Sequence, residues 1–325
     1  MAPLRQVLDI MLNHKSSYRE LYMDVFDLVR SLGQYGAQIV REPAKLQPRL
    51  RTCLPWSTAA NGLCLALNRR YLEMALENSN ISGVIVPNAL VPQALGGDCF
   101  VISADLPELL FCEIHNRAIH ALNVAPVSAP PCIAATASVH PTAVLAQNVV
   151  IGERVVIGPY AVVGENSILG DDTWIGPHVV IGEDSLYSRI FPEGKKHIRH
   201  WGGVRIGSRC RIAAQCIIAR SAYFAEYTEI GDDVFLSFQV TVGHDCRLAP
   251  RSDVSTHATL GGRTSLGADC WVGIGATLSN TITVGDKASV MLGSVLIDNV
   301  PEKAEVSGNF AISHSKNLRN KARLS

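Results

Sequence analysis

The chain has 325 residues, of which 47% are hydrophobic, only 6% are aromatic and 18% are charged. Globular proteins average roughly 25% charged residues, so the apolar content here is mainly aliphatic and the surface carries few charges. High hydrophobicity excludes a disordered chain, and the balance of 29 basic against 29 acidic residues gives no overall electrostatic signal for nucleic acid. The length predicts about two domains.

Neither a membrane span nor a secretory signal is expected. No uninterrupted apolar run approaches the roughly 20 residues needed to cross a bilayer, and Arg5 and Asp9 interrupt the N-terminal segment. The nine cysteines form no CxxC pair and lack the clustered spacing of a zinc site. We therefore predict a cytoplasmic protein with reduced, buried thiols and no metal.

The pattern of apolar residues over 1–125 predicts a small α/β domain. Apolar spacing predicts helices over 4–13 and 18–32, with Gly33 as a helix stop. Short strands are predicted over 63–67, 83–87 and 99–103, and further helices over 68–78 and 106–120. A proline-rich segment, 126–132, follows as a stiff linker.

A repeat with a period of six residues occupies 133–301. Nine consecutive hexads end at Leu186, residues 187–205 interrupt them, and sixteen more run in one register from Ile206 to Pro301. The first position is Ile, Leu or Val except at Phe224, the fifth is small or β-branched, and the second is often Gly. Cys210, Cys216, Cys246 and Cys270 all occupy the fifth position.

This spacing predicts short extended segments separated by turns. The first and fifth side chains point inward, and Gly at the second position suits a turn that needs positive φ. Three hexads make one triangular coil, so the repeat gives about eight coils and a rod on the order of 40 Å long. Each coil buries its apolar face only against its neighbours.

The hexads resemble those of the hexapeptide-repeat acyltransferases. The resemblance covers residues 133–301 and implies a mainly β fold, a left-handed parallel β-helix, with the α/β domain before it and a short C-terminal tail, 302–325, after it. It also implies a homotrimer with active sites between adjacent helices. A scaffold without activity is the alternative.

The head domain resembles the uridine-binding domain of UDP-3-O-acylglucosamine N-acyltransferases. The segments LGQYGAQIV, AANGLCLALNRRY and SGVIVP carry this resemblance, and Asn68 and Tyr71 match the NxxY element of that family. The resemblance implies that Tyr71 stacks on a base, whereas the plain alternative is an ordinary helix residue. The second aromatic of the family, three residues before the Asn, is Leu65 here.

His244, in the hexad VGHDCR, matches the catalytic His of the family and occupies a corner position where side chains leave the core. Transfer to an amine needs a base, and a His that is neutral near pH 7 suits that task. The resemblance implies that Asp245 orients the base. The backbone N–H of Gly262 is the expected oxyanion donor. The alternative for His244 is an exposed corner residue.

Further binding residues are expected in the insertion, in the repeat and at its end. His200 and Trp201 belong to the basic, aromatic segment FPEGKKHIRHWGG, and Arg220 stands in IARS where the family has IDRG. These three are predicted to contact the acceptor, or else to cover an apolar cleft.

The donor site is predicted from small residues and from the end of the repeat. Gly273 and Gly275 keep the coil surface open for a pantetheine arm, and Asn309 lies in SGNFA, which resembles the VxGNPA ending of sugar acetyltransferases.

The predicted function is an N-acyltransferase that moves an acyl group from a thioester to the amine of a nucleotide-linked amino sugar. Acyl-CoA is favoured as the donor over acyl carrier protein. Alternatives are the carrier-protein-dependent N-acyltransferase of lipid A assembly, a sugar O-acetyltransferase, and a non-catalytic sugar-nucleotide scaffold.

Overall fold

The computed structural model describes residues 29–30, 33, 36–42, 51–58, 60–122 and 129–308, with side chains to 117 in the last helix of the head. The predicted helix over 4–13, most of that over 18–32, part of the linker, Asn309 and the tail from 309 lie outside the described residues.

The head is a five-stranded sheet in the order β1-β5-β4-β3-β2, parallel except for β1, which runs antiparallel to β5. Its strands are β1 (Gln38–Arg41), β2 (Arg51–Cys53), β3 (Gly62–Leu65), β4 (Ile81–Pro87) and β5 (Phe100–Ala104). Its helices are α1 (Arg69–Glu77), α2 (Val91–Ala94), preceded by a 3-10 turn Asn88–Leu90, and α3 (Pro107–Leu122). The three predicted strands and the two later helices are confirmed, with ends shifted by a few residues.

The rod consists of three parallel sheets that share every coil. The first sheet contains β7 (Ser138–Val139), β10 (Val156–Ile157), β13 (Trp174–Ile175), β18 (Arg211–Ile212), β21 (Phe235–Leu236), β24 (Asp253–Val254), β27 (Trp271–Val272), β30 (Ser289–Val290) and β32 (Glu305–Val306). The second contains β8 (Val144–Leu145), β11 (Val162–Val163), β14 (Val180–Glu183), β19 (Ile217–Ala219), β22 (Thr241–Val242), β25 (Thr259–Leu260), β28 (Thr277–Leu278) and β31 (Val295–Leu296). The third contains β6 (Cys132–Ile133), β9 (Val150–Ile151), β12 (Ile168–Leu169), β17 (Gly203–Ile206), β20 (Tyr227–Ile230), β23 (Arg247–Leu248), β26 (Ser265–Leu266) and β29 (Thr283–Val284).

Sheets of nine, eight and eight strands confirm the mainly β class and the prediction of about eight coils. The aliphatic side chains at the first and fifth hexad positions form one continuous buried core. The four repeat cysteines are buried within it, and burial raises the pKa of their thiols. All nine cysteines are free, and Cys132 is the exposed one.

The turns of the rod correct one prediction about the glycines. The left-handed residue is the fourth of the hexad, as at Arg154, where φ is 56°, and at Asp245, where φ is 59°. Among the position-two glycines of the described hexads, only Gly182 has positive φ. The others are needed for space, because a Cβ on Gly152 would lie 2.5 Å from Asp171 Oδ1, and one on Gly243 2.6 Å from the Gly262 nitrogen.

The first interruption of the repeat, between β14 and β17, folds as an antiparallel hairpin. Its strands are β15 (Ser188–Phe191) and β16 (Gly194–His197). The hairpin contacts helix α3 of the head. The Nδ2 of Asn116 donates to the carbonyl of His197 at 2.7 Å, and the Lys196 ammonium lies 2.9 Å from the Glu113 carboxylate.

A second insertion, which we define as residues 219–229, was not predicted. The chain passes from β19 directly to β20 over twelve residues, so two apparent hexads supply a single side of the coil. The prediction of one unbroken register is therefore wrong here. The exception at the first hexad position, Phe224, is not a core residue, because its side chain is exposed.

The second insertion joins the head to the rod. Ala222 and Tyr223 are buried in the same apolar cluster as Phe100, Phe111 and Ile114 of the head. The Arg51 guanidinium donates to the carbonyl of Phe224 at 3.0 Å, and the Ser57 hydroxyl donates to the Glu226 carboxylate. Head and rod are thus packed together through the two insertions.

We expect His115 to make this junction sensitive to acid. Its Nε2 contacts the Arg199 carbonyl at 2.9 Å, an interaction that requires a donor, and its Nδ1 lies 2.6 Å from the Thr52 hydroxyl, which donates to it in the neutral ring. Burial lowers the pKa of His115 to about 4. The unfolded chain, with a His pKa near 6.5, therefore binds more protons between about pH 6.5 and 4, and stability falls as the pH drops through that range.

Urea unfolding of the wild type and His115→Gln from about pH 7.5 to about pH 4.5 tests this. The stability gap between them should be largest above about pH 7 and shrink towards pH 4.5. His257→Gln, at an exposed corner of the rod, is the matched control. A pH-independent gap for His115→Gln would contradict the account.

Candidate active site

A cleft of about 510 Å³ lies between the head and the rod. On the head it is lined by Cys53, Leu54, Pro55, Trp56, Leu65, Leu67, Tyr71, Glu108 and Phe111. The two insertions and the rod contribute Ser185, Leu186, Tyr187, Ser188, Arg189, Tyr223, Gly243, His244, Leu260, Gly261, Gly262, Arg263, Asn280 and Thr281. The head side is mainly apolar and aromatic apart from Glu108, and most of the polar groups lie on the rod and the insertions, as in small-molecule sites.

His244 stands on the turn between β22 and β23 and reaches the cleft. Its Nδ1 lies 2.6 Å from Asp245 Oδ2, and the two side chains are 13% and 4% exposed. An ionised carboxylate only accepts hydrogen bonds, so Nδ1 carries a proton, and in the neutral ring Nε2 is left with its lone pair. The left-handed backbone at Asp245 allows these neighbouring side chains to meet.

Asp245 is held by the second insertion. Its Oδ1 accepts from the Ser221 hydroxyl at 2.5 Å and from the Ala222 N–H at 3.2 Å, while its own N–H donates to Thr228 Oγ1 at 2.9 Å. Burial by itself raises the pKa of the Asp245 carboxyl. Hydrogen bonds from His244 and Ser221 and nearby positive charge outweigh that effect, so the pKa is lowered and the group stays ionised.

Gly262 lies directly beneath the imidazole, on the next coil. A Cβ at this position would approach His244 Nε2 to 2.6 Å, so any residue other than glycine would clash with the imidazole. At three other third hexad positions, the N–H is capped by an aspartate of the following coil. These pairs are Glu153 with Asp171, Ser208 with Asp232, and Ala268 with Asp286. The following coil has Asn280 instead, and no hydrogen bond within the described ranges engages the Gly262 N–H.

Two further rings surround the base. Tyr187, at the start of the hairpin, stacks on His244 with centroids 5.1 Å apart and planes 14° apart. His200 meets His244 edge-on at 5.5 Å, and its Nε2 lies 3.0 Å from Ser185 Oγ. Burial lowers the pKa of His200 to about 4. His200 is buried against His244 and does not line the cleft, so the predicted contact of His200 with the acceptor is not seen in this cleft.

The head side of the cleft carries an aromatic pair. Tyr71 and Trp56 have centroids 6.3 Å apart and planes inclined at 51°. Asn68, the other residue of the predicted element, is the N-cap of α1, since its Oδ1 accepts from the Tyr71 N–H at 3.0 Å. Sequence reasoning missed Trp56 because it sought a second aromatic at Leu65. The nearby PW dipeptide in a predicted loop was the available signal.

The remaining predicted residues lie outside the cleft lining. Arg220 donates through Nε to the carbonyl of Gly202 at 2.8 Å, and the Trp201 ring packs 5.9 Å from the Arg199 guanidinium. Gly273 and Gly275 are on turns between the first and second sheets, whereas His244 and Gly262 are on turns between the second and third. The structure therefore does not bring these glycines to the base.

Within the part of the chain that the structure describes, no cluster of three or more His, Cys, Asp or Glu side chains has an arrangement for a metal ion. Across the same residues, no helix combines the length and apolar character that a membrane span requires.

The three sheets and their hexad turns define a parallel β-helix built of hexapeptide repeats, here with an α/β head. No protein-family model and no curated protein sequence matches the chain. Among solved structures, it is similar to UDP-N-acetylglucosamine acyltransferase from Campylobacter jejuni, with TM-score 0.44 and 19% identity over 60% of this chain and 81% of that one. The corresponding Moraxella catarrhalis enzyme has TM-score 0.42 and 23% identity over 58% and 77%.

The acetyltransferase domain of PglB from Neisseria gonorrhoeae, solved with acetyl coenzyme A, is similar with TM-score 0.25 and 16% identity, over 77% of this chain and 97% of that one.

Proposed function

We propose that the protein is an N-acyltransferase that transfers an acyl group from a thioester to an amine on a nucleotide-linked sugar, with His244 as the base. One observation carries this proposal: His244 Nε2 lies beside Gly262, whose N–H has no partner among the described residues, in a cleft that also contains the Trp56–Tyr71 pair. A base and an oxyanion donor side by side are the minimum that acyl transfer requires.

The reaction follows from these groups. The acceptor amine forms a bond to the thioester carbonyl carbon and gives its proton to His244 Nε2. The Gly262 N–H donates to the oxygen on which negative charge develops. The C–S bond then breaks, and the imidazolium returns the proton to the leaving sulfur. Asp245 stabilises the imidazolium and keeps Nδ1 protonated throughout.

The Trp56–Tyr71 pair in the cleft is the observation that supports an acceptor carrying a nucleotide. Every nucleobase offers a flat face, and stacking on aromatic side chains binds bases with little dependence on their identity. In this proposal Trp56 and Tyr71 bind the base while the sugar amine reaches His244. The donor in this proposal is acyl-CoA.

A homotrimer remains part of the proposal. Large apolar side chains point outward along the first sheet, where Val156 pairs with Trp174, and Phe235 follows after Arg211. Their exposures, 40% for Val156, 36% for Trp174 and 40% for Phe235, support burial against further copies of the chain.

Variants of the base and its partner test the chemistry. His244→Ala should lower kcat by about 10²- to 10⁴-fold, the contribution of a positioned base, without weakening acceptor binding. Asp245→Asn should be nearly as damaging. The Ala222 N–H requires an acceptor, so the amide oxygen of Asn faces it and the NH₂ group faces His244 Nδ1. The proton then moves to Nε2, and the lone pair is lost.

Turnover is measured with acetyl-CoA and longer acyl-CoA thioesters against nucleotide-linked amino sugars and their hydroxy counterparts. Ser221→Ala is the matched control, because the Ala222 N–H still orients Asp245, and it should retain most of kcat. Unaltered turnover in His244→Ala would remove the central claim. Activity confined to hydroxy sugars would replace the N-acyltransferase by an O-acyltransferase.

Truncation of the aromatic pair tests the acceptor class. Trp56→Ala and Tyr71→Ala should each raise KM for a nucleotide-linked acceptor by about 10- to 100-fold, the value of one base stack, and leave KM for the thioester unchanged. Tyr160→Ala is the control, since this ring stacks on His178 at a corner of the rod. An equal loss with a sugar 1-phosphate that lacks the nucleoside would contradict the assignment.

A further inference from the structure

Arg263 is a cleft residue that the proposed reaction does not use. It follows Gly262 in the hexad LGGRTS, with a left-handed φ of 64°, and its N–H donates to the His244 carbonyl at 2.7 Å. Its side chain therefore lies one coil from Asp245 and lines the cleft beside the base. Sequence reasoning gave it no role.

The Arg263 guanidinium has two unpaired donors. Its carbon lies 4.9 Å from the centre of the Tyr187 ring, which covers it. The Nε and Nη2 atoms are buried and have no hydrogen-bond partner among the described residues. Buried polar groups almost always have partners, so two unpaired donors in one side chain require an explanation.

Asp245 does not supply the missing partner. Its Oδ2 is engaged by His244, and its Oδ1 by Ser221 and Ala222, so it acts on Arg263 only through space. Among the described residues that line the cleft, Glu108 is the one carboxylate, and it lies 3.5 Å from Arg189. The side chains that neighbour Arg263 on the following coil, Asn280 and Thr281, are neutral.

The pattern of unpaired atoms indicates the missing group. Nε and Nη2 form one edge of the guanidinium, with parallel N–H bonds whose spacing matches two oxygens of a carboxylate or phosphate. A carbonyl oxygen can accept from both donors, as the Cys99 carbonyl does from Arg41, but it leaves the positive charge of the guanidinium uncompensated. A group with two oxygens and a negative charge fits both donors and the charge.

We propose that Arg263 binds an anionic group of the acyl acceptor, either a phosphate of the nucleotide or a carboxylate on the sugar, and thereby places the acceptor amine against His244. This assignment rests on the proposed function and narrows its substrate to an acceptor with an anion close to the reacting amine. Because the Tyr187 ring covers the guanidinium, the ring turns aside when the anion binds.

Binding without an acyl donor tests Arg263 independently of turnover. The full chain is titrated calorimetrically with UDP, with a UDP-linked neutral amino sugar and with its C6-carboxylate counterpart. Arg263→Gln should lower the affinity for the ligand that carries the bound anion by about 10- to 100-fold, the range for hydrogen bonds to charged groups. Arg263→Lys, which keeps the charge without the two-pronged edge, should recover only part of that loss.

The ligand series separates the two sources of the anion. If the phosphate is bound, UDP itself loses affinity in Arg263→Gln. If the carboxylate is bound, only the carboxylated sugar does. Arg251→Gln is the matched control, because Arg251 has the same hexad position and a φ of 61° but pairs with Asp269 at another corner.

A purely structural role for Arg263 makes a different prediction. Tyr187→Ala removes the stacked ring, so loss of that stack would weaken binding as much as Arg263→Gln does. Our proposal predicts equal or tighter binding in Tyr187→Ala, since the cover is gone. Wild-type affinity of Arg263→Gln for all three ligands would overturn it. If Arg263→Gln loses affinity but the wild-type protein transfers no acyl group, the proposed function is refuted and Arg263 is still an anion-binding residue.

Discussion

The carboxylate of Asp245 is the point at which the rod, the second insertion and the cleft meet. One of its oxygens fixes the imidazole of His244, and the other is bound by Ser221 and Ala222. The residue after these, Tyr223, is buried in the core of the head. Because the same short segment orients the base and packs the head, the cleft and its chemistry depend on one docked loop. The Asp245 carboxylate tolerates its nearly complete burial because each of its two oxygens accepts a hydrogen bond.

The β-helix aligns equivalent hexad positions of successive coils. Eighteen residues make one coil, so the third hexad position of one turn lies over the same position of the next, and His244 lies over Gly262. The fourth position is left-handed and carries Asp245 and Arg263 in neighbouring coils. The base, its partner, the unpaired N–H and the unpaired guanidinium therefore come from two adjacent turns of one repeat. Stacking of the coils therefore brings together residues that are 18 positions apart in the sequence.

Periodicity explains why much of this was predictable. The hexads specified the rod, its inward positions and the corner that bears His244, while the resemblance singled out Asp245 and Tyr71. Trp56, Tyr187 and Ser221 were beyond that reasoning, because their places depend on how two aperiodic insertions pack against the head. Arg263 stands at a regular corner of the repeat, but its unpaired donors depend on the same packing. The contacts that decide this packing, such as Arg51 with Phe224, join residues 173 positions apart. No local pattern reports such a contact. The misread register around Phe224 has the same origin, since an insertion of one hexad length imitates the repeat.

The most direct test of the account is the protonation of the His244 ring, observed by nitrogen NMR in the histidine-labelled protein and assigned by comparison with His244→Ala. In the neutral ring the proton should reside on Nδ1, leaving Nε2 as the acceptor that faces the cleft, and Asp245→Asn should shift the proton to Nε2. A wild-type ring protonated on Nε2 would contradict the account, because the base would then have no lone pair to offer the substrate.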